Sequence, residues 1–296
     1  MPENTLKFKI PTPFLKWAGG KRAIVAQILE YVPHDIERYY EPFLGAGSLF
    51  FSLPSELPKV VSDYNSELIS VYETLRDDVE GVLRELRKMK NTKDNYIAVR
   101  AWDRSPRFSS RSAASRAARF IFLNKCGFNG LYRVNSQGQY NVPYGNPKTV
   151  DFVAEENLRA VSDFLNARSS DGKVASMISS GDYRQILKTA SGYGSLVYFD
   201  PPYHPTSSTS NFTSYSSDGF GESDQIALRD EIIRLTRAGV RVLHSNSDTS
   251  FIRDLFRDDI FTINEVTVRR AIAAKSSSRG IITEVLIDNY KAFGEI

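Results

Sequence analysis

Between Leu68 and Leu123 the apolar residues recur at intervals of three and four, whereas the flanks alternate strand-like runs with helical patterns. Leu68, Val71, Tyr72 and Leu75 keep the helical spacing, as do Val79, Val82, Leu83 and Leu86. Ser112 to Asn124 continues it with Ala114, Ala117, Ala118, Ile121 and Phe122. This pattern demands an α/β sheet interrupted by a mostly helical insertion. A chain of 296 residues has room for such a core and insert, and no solenoid-length repeat competes with that architecture. Short serine-rich patches, Ser207 to Ser217 and Ser276 to Ser278, read as loops.

Charge marks the same middle segment. From Arg84 to Arg133 thirteen Lys or Arg face three acids, Glu85, Asp94 and Asp103, a local balance of +10 (13 − 3) in a chain of net charge +3. Basic side chains cluster in this way to neutralise phosphates, although Arg also serves as a helix former on a solvated face. A hydrophobic content of 41% is ordinary for a globular protein, and no apolar run reaches the ~18 residues a membrane span requires. Met1-Pro2-Glu3-Asn4 is not a basic region leading into an apolar stretch, Cys126 is the single cysteine, and no Cys/His spacing points to zinc. A cytoplasmic protein with neither metal nor membrane partner is expected.

The apolar run Leu196-Val197-Tyr198-Phe199 ends at Asp200-Pro201-Pro202-Tyr203. Its composition is that of a buried strand, and the two prolines break its end into a rigid loop at the edge where α/β sheets gather ligands. The prolines also remove competing N–H donors, so a carboxylate and a carbonyl can converge on one amino group while Tyr203 stacks on its ring. Asp-Pro-Pro is also a common turn, which leaves a purely structural role open.

Two glycine clusters precede it. Tyr39-Tyr40-Glu41-Pro42-Phe43-Leu44-Gly45-Ala46-Gly47, followed by Leu49 to Leu53, reads as strand, glycine loop and helix. Asp63, closing Lys59-Val60-Val61-Ser62, places a carboxylate at the end of the next strand, where a ribose hydroxyl could be held. The third glycine of a dinucleotide fingerprint and the phosphate-loop lysine are missing, which suits a nucleoside ligand without phosphates. Phe14-Leu15-Lys16-Trp17-Ala18-Gly19-Gly20-Lys21-Arg22 precedes a helical pattern at Ile24, Val25, Ile28 and Leu29 and reads either as a binding loop or as a helix start anchored by Trp17.

Together these clusters resemble the Dam and DpnII-type DNA adenine-N6 methyltransferases, the D12 class that acts on GATC. The matching stretches are Phe14 to Lys21, Glu41 to Phe50, Ser62 to Ile69, Asn129 to Gly145, Asp200 to Tyr203, Asn211 to Tyr215, Ser245 to Thr249 and Ala274 to Gly280, in the family's order. The resemblance implies a Rossmann-like S-adenosylmethionine-dependent methyltransferase sheet, with catalytic parts over 1–67 and 174–296. A helical DNA-recognition insertion over 68–173 would carry a β-hairpin at 128–145. The order of cofactor motifs, insert and catalytic tetrapeptide resembles the alpha arrangement of amino-methyltransferases.

Position by position, the resemblance gives Trp17, Gly20, Lys21, Glu41, Pro42, Phe43, Gly45 and Gly47 to the S-adenosylmethionine pocket. Asp63 is matched to its ribose, Asp182 to its adenine, and Asp200 to both cofactor and target amine. Asp200, Pro201, Pro202 and Tyr203 form the catalytic set. For double-stranded DNA it implies Arg133 as the base-reading arginine, Phe128 as an aromatic inserted beside the vacated base and Lys16 at an outer guanine; Asn129, Leu131, Pro143, Arg111 and Arg116 complete the candidate DNA contacts. Asn146-Pro147-Lys148 follows Gly145 directly, shorter than the family's basic stretch, so a flanking phosphate contact is missing from this register. Cytosine N4, an RNA adenine or another DNA sequence stay open as targets, as does DNA binding without catalysis. A monomer is favoured.

Overall fold

The computed structural model describes residues 10–206, 220–269 and 281–294. The stretches Asn211 to Tyr215 and Ala274 to Gly280, and both serine-rich patches, lie outside the described residues. Two compact units share the chain, one comprising 1–20, 45–56 and 65–178, the other 21–44, 57–64 and 179–296.

The second unit is built on a sheet. Seven strands, β1 (Arg38–Glu41), β2 (Lys59–Asp63), β3 (Ser176–Ser180), β4 (Ser195–Phe199), β5 (Arg241–Ser247), β6 (Thr262–Arg269) and β7 (Ile281–Asp288), lie in the order β3-β2-β1-β4-β5-β7-β6. β1 pairs in parallel with β2 and β4, and β4 with β5, whereas β7 runs antiparallel between β5 and β6. Strand order therefore reverses between β1 and β4, and the crevice outside their carboxyl ends is where such sheets hold ligands.

All five residues of β4 are buried, as expected of a strand without polar alternation. Tyr40, Val197, Phe199, Val242, Val285 and Ile287 form a core with Leu228, Ile232 and Leu235 of α7 (Glu222–Arg237) and with Ile252 of α8 (Ser250–Leu255). Each such side chain contributes about 1.5 to 3 kcal/mol on burial. His244 on β5 is wholly buried, and burial pushes its pKa down to about 3. Short helices α1 (Val25–Leu29) and α6 (Arg184–Leu187) complete this unit.

The first unit is mostly helical, with α2 (Ser66–Leu86), α3 (Lys93–Arg100), α4 (Ala113–Cys126) and α5 (Glu155–Asn166). Side-chain caps start three of them: Asn65 accepts from the Leu68 amide at 3.0 Å, Thr92 from Asn95 at 3.3 Å and Ser112 from Ser115 at 3.2 Å. α2 breaks at Asp78 (φ −150°, ψ 60°), whose Oδ1 accepts the Gly81 amide at 2.9 Å and restarts the helix. A Cβ at 81 would meet the Asp78 carboxylate, so a larger residue there would displace the side chain that restarts the helix. The helical spacing read from the sequence is realised in the burial of Leu68, Val71, Tyr72, Leu75, Val82, Leu83 and Leu86.

Part of the basic charge holds this unit together. Arg119 on α4 is 3% exposed, pairs with Asp103 at 2.6 Å and donates to the carbonyls of Val99 and Arg100 at 3.0 and 2.8 Å. Arg100 donates to Val142 O at 3.0 Å. Arg119 thereby satisfies carbonyls at the end of α3, while Arg100 ties that end to the Val142 carbonyl. Among the described residues no helix is long and apolar enough to cross a membrane. Arg119→Met removes the buried one of two arginines on Asp103, which keeps Arg104 at 2.7 Å and the Tyr140 amide at 2.7 Å, and we expect a loss of about 1.5 to 3 kcal/mol in denaturant unfolding; a change below about 0.5 kcal/mol would show that the pair is not structural.

Candidate active site

Asp200 is the first residue beyond β4, at the carboxyl edge of the sheet. Its Oδ1 lies 2.7 Å from Lys21 Nζ, with the two side chains only 18% and 6% exposed. Burial raises the Asp200 carboxyl above the usual range, Lys21 opposes that shift, and the Glu284 carboxylate adds to it. The Lys21 ammonium also lies 4.5 Å from the centre of the Tyr203 ring. Tyr203 in turn donates to Glu284 Oε2 at 2.9 Å.

The loop is held by buried amides. Gln225 donates to Pro202 O at 2.9 Å, Asn246 donates to Gln225 Oε1 at 3.0 Å, and Asn246 Oδ1 accepts from the His204 amide at 3.0 Å. With Pro201 and Pro202 fixing φ, Asp200 to His204 has little freedom. The Tyr198 and Ser245 hydroxyls are hydrogen-bonded at 2.8 Å, and Tyr39 donates to Glu41 at 2.8 Å. Burial, reinforced by the surrounding carboxylates, raises the pKa values of Tyr39, Tyr198 and Tyr203 far above the phenol range, so these hydroxyls stay protonated.

Four carboxylates mark four neighbouring strand ends. Glu41 closes β1, Asp63 closes β2, Asp182 follows β3 and Asp200 follows β4, strands adjacent in the order β3-β2-β1-β4. Glu41 is buried, and Asp182 is exposed, pairing with Arg184 at 3.0 Å. The Asp63 carbonyl accepts from Gly181 N at 3.1 Å, and Ser62 donates to Pro42 O at 3.2 Å. Phe43 sits 5.2 Å from the Tyr183 ring, giving this edge an aromatic surface.

In the helical unit the glycine corner is built around Trp17. Gly45 has φ +50° and Gly47 φ +68°, and a Cβ at Gly45 would lie 2.8 Å from Trp17 Cδ1. Tyr72 donates to Gly45 O at 3.0 Å, while Gly20 N donates to Trp17 O at 3.1 Å. The helix expected after this corner is a single 3-10 turn at Phe50–Ser52, since Pro54 follows before a second turn can form.

The Trp17 indole stacks on Phe120 and Tyr132, with centroids 6.2 and 5.7 Å away. Next to it Lys16 and Asn124 exchange hydrogen bonds, Lys16 N donating at 2.8 Å and Asn124 Nδ2 returning one to Lys16 O at 2.7 Å. Asn124 also donates to Gly130 O at 2.9 Å, which ties Lys16 to the stretch that carries Leu131 and Arg133. Arg133 is exposed and its Nε donates to Asn141 at 2.7 Å. Phe128 is 50% exposed beside Asn129 at φ +53°, and its amide donates to Pro143 O at 2.9 Å. Arg111, in the loop before α4, stacks over Trp102 at 3.8 Å, and Arg116, in the first turn of α4, donates to Ser109 O at 3.0 Å.

The expected β-hairpin at 128–145 is only partly regular. Its chain reverses at Asn135 to Gln139, around Gly138 at φ +72°, but pairing is limited to the isolated bridges Gly127↔Tyr144 and Val134↔Tyr140. Asn129 in the left-handed region and Pro143 without an N–H interrupt a continuous ladder. Reasoning from the sequence missed Glu284, Gln225, Tyr198 and Tyr132. Glu284 lies 81 residues from its partner Tyr203, and no local pattern links them.

Among the described residues no group of three or more His, Cys, Asp or Glu side chains is placed to hold a metal ion. The family model for the D12 class N6 adenine-specific DNA methyltransferases matches residues 17–272. A type II methyltransferase of Lactococcus lactis subsp. cremoris is 42% identical over 280 residues, covering 94% of this chain and 95% of its own. One from Methanocaldococcus jannaschii is 38% identical, covering 94% and 99%. A DNA adenine methylase of Vibrio cholerae is 34% identical, covering 92% and 94%. With the mixed sheet and its strand-end carboxylates already in view, these similarities place the chain in the D12 class of N6 adenine-specific DNA methyltransferases.

Proposed function

We propose that this protein moves a methyl group from S-adenosylmethionine to N6 of an adenine flipped out of duplex DNA, within GATC. The observation that carries the proposal is the loop Asp200 to Tyr203: a carboxyl group paired with Lys21 and an aromatic ring held by Glu284, both at the end of β4. Membership of the adenine-specific class supports the choice of base.

The residues present suit the cofactor. Glu41, Asp63, Asp182 and Asp200 give the sheet edge an acidic line, fitting a ligand with cationic sulfur and amino groups and no phosphate. Gly45 and Gly47 leave out the side chains that would fill their corner, and Trp17, Gly20, Lys21, Pro42 and Phe43 are the other proposed contacts. When bound, S-adenosylmethionine supplies a methyl group made electrophilic by positive sulfur. Adenine N6 is a weak nucleophile because its lone pair is delocalised into the ring. Asp200 would accept a hydrogen bond from the amino group and stabilise the positive charge that grows on nitrogen as the methyl group leaves sulfur, the surplus N6 proton then passing to solvent, while Tyr203 would stack on the base. Orientation supplies much of the remaining rate.

Adenine in a duplex is paired and stacked, and extruding it costs a few kcal/mol. The helical stretch 68–173 is the proposed DNA reader, inserted between the cofactor motifs and the catalytic tetrapeptide in the alpha order. Exposed Phe128 would fill the vacated stack, Arg133 would read a guanine and Lys16 an outer guanine, with Asn129, Leu131 and Pro143 lining the same face. Arg111 and Arg116 are proposed phosphate contacts. Asn141 orients the Arg133 guanidinium for the bidentate geometry that guanine O6 and N7 require.

Asp200→Asn is expected to lower methyl transfer about a hundredfold or more, with DNA binding retained. Label transfer at near wild-type rate would sink the assignment of Asp200. Because burial raises the Asp200 carboxyl, the acid limb of kcat/KM should lie above the ordinary carboxylate range, activity falling as pH drops through it. Lys21→Met removes the opposing charge, so the limb should move to higher pH; a limb that stays in place means Asp200 does not control it. Arg133→Ala should lose about 1 to 3 kcal/mol of discrimination at one base pair. Equal weakening on every sequence would make Arg133 a phosphate contact.

A further inference from the structure

We propose that Glu284 is a positioning residue for the target-base clamp, accepting the Tyr203 hydroxyl and so keeping that hydroxyl's single proton off Asp200. This rests on the methyl-transfer reading above. Glu284 lies on β7, opposite Ser247 of β5 and Val266 of β6. Its neighbour Val285 is fully buried in the core, so strand alternation turns Glu284 to the other face. There its Oε2 takes the Tyr203 hydroxyl at 2.9 Å.

A phenol has one proton to give. Two carboxylates stand near it, because the Lys21 ammonium that lies 4.5 Å from the centre of the Tyr203 ring is also 2.7 Å from Asp200 Oδ1. Asp200 already holds the Lys21 ammonium through Oδ1 at 2.7 Å. A second protein donor on Asp200 would weaken it as an acceptor for the incoming amine, and the amine's N–H would compete with a phenol already in place. Glu284 removes that competitor while leaving the Tyr203 ring beside Asp200. The same bond fixes the ring plane on which the base would stack, with the Lys21 ammonium 4.5 Å from its centre.

The test is a rescue. In the full-length protein, Glu284→Ala frees the Tyr203 hydroxyl to turn to Asp200, and kcat for methyl transfer should fall about tenfold with little change in KM for DNA. Adding Tyr203→Phe to that variant removes the misplaced donor but keeps the ring, and most of the lost kcat should return. A merely structural glutamate predicts a double variant as slow as Glu284→Ala or slower, and that result overturns the inference.

Glu284→Gln covers the case in which the alanine variant does not fold. Its amide oxygen still accepts the phenol, so its loss of kcat should stay below about threefold, and a loss of about tenfold or more counts against the inference. A duplex with 2-aminopurine at the target position gives a readout apart from turnover. Its fluorescence rise on binding should persist in whichever variant folds, because flipping does not need the Asp200 acceptor; loss of the rise means Glu284 acts on base extrusion instead. A wild-type protein that methylates no adenine removes the functional reading and this inference together. A wild type that does so, with no rescue, removes the inference alone.

Discussion

The ion pair between Lys21 and Asp200 is the constraint on which the carboxyl edge of the sheet depends. A carboxylate at the end of a fully buried strand loses hydration, and desolvation alone would drive it towards the neutral acid. Lys21 counters that tendency from 2.7 Å, itself nearly buried, so neither charge is stranded. The chain delivers the lysine directly after Gly19-Gly20, a turn in which Gly20 closes onto the Trp17 carbonyl. Around this pair the hydroxyls of Tyr39, Tyr198 and Tyr203 are held protonated, and the amides of Gln225 and Asn246 fix the loop without adding charge.

Much of this was legible before any coordinates. An all-apolar run stopped by two prolines could only be a buried strand with a rigid end, and Asp200 stands at that end. Ser112 to Asn124 carries helical spacing, and a helix runs from Ala113 to Cys126. Asp63 at the close of β2 follows from the strand it terminates. The Glu284 to Tyr203 bond was not legible, because it joins strands whose pairing depends on the whole sheet. Nor was the role of Arg119: thirteen basic residues look alike in a charge count, yet this one is buried against Asp103 and cannot meet a phosphate.

Two local expectations failed for physical reasons visible in single residues. Leu49 to Leu53 has helix-forming composition, but Pro54 allows only one tight turn. The ribbon after Phe128 has strand-like alternation and the expected reversal, yet Asn129 and Pro143 break its ladder into isolated bridges. That irregularity leaves Phe128 and Arg133 exposed on a backbone pinned by Asn124, Asn135 and Asn141. Side chains that read a groove need such support, since a loosely held arginine loses its bidentate geometry.

The central claim is methyl transfer to adenine N6 inside GATC, with Asp200 as the group that holds the amine. Methylation of mixed-sequence duplex DNA with S-adenosylmethionine, followed by base-resolution mapping, tests it most directly. The account predicts N6-methyladenine at GATC and nowhere else. Methyl groups on cytosine N4, or no incorporation at all, would contradict the assigned chemistry, and N6-methyladenine outside GATC would contradict the assigned sequence.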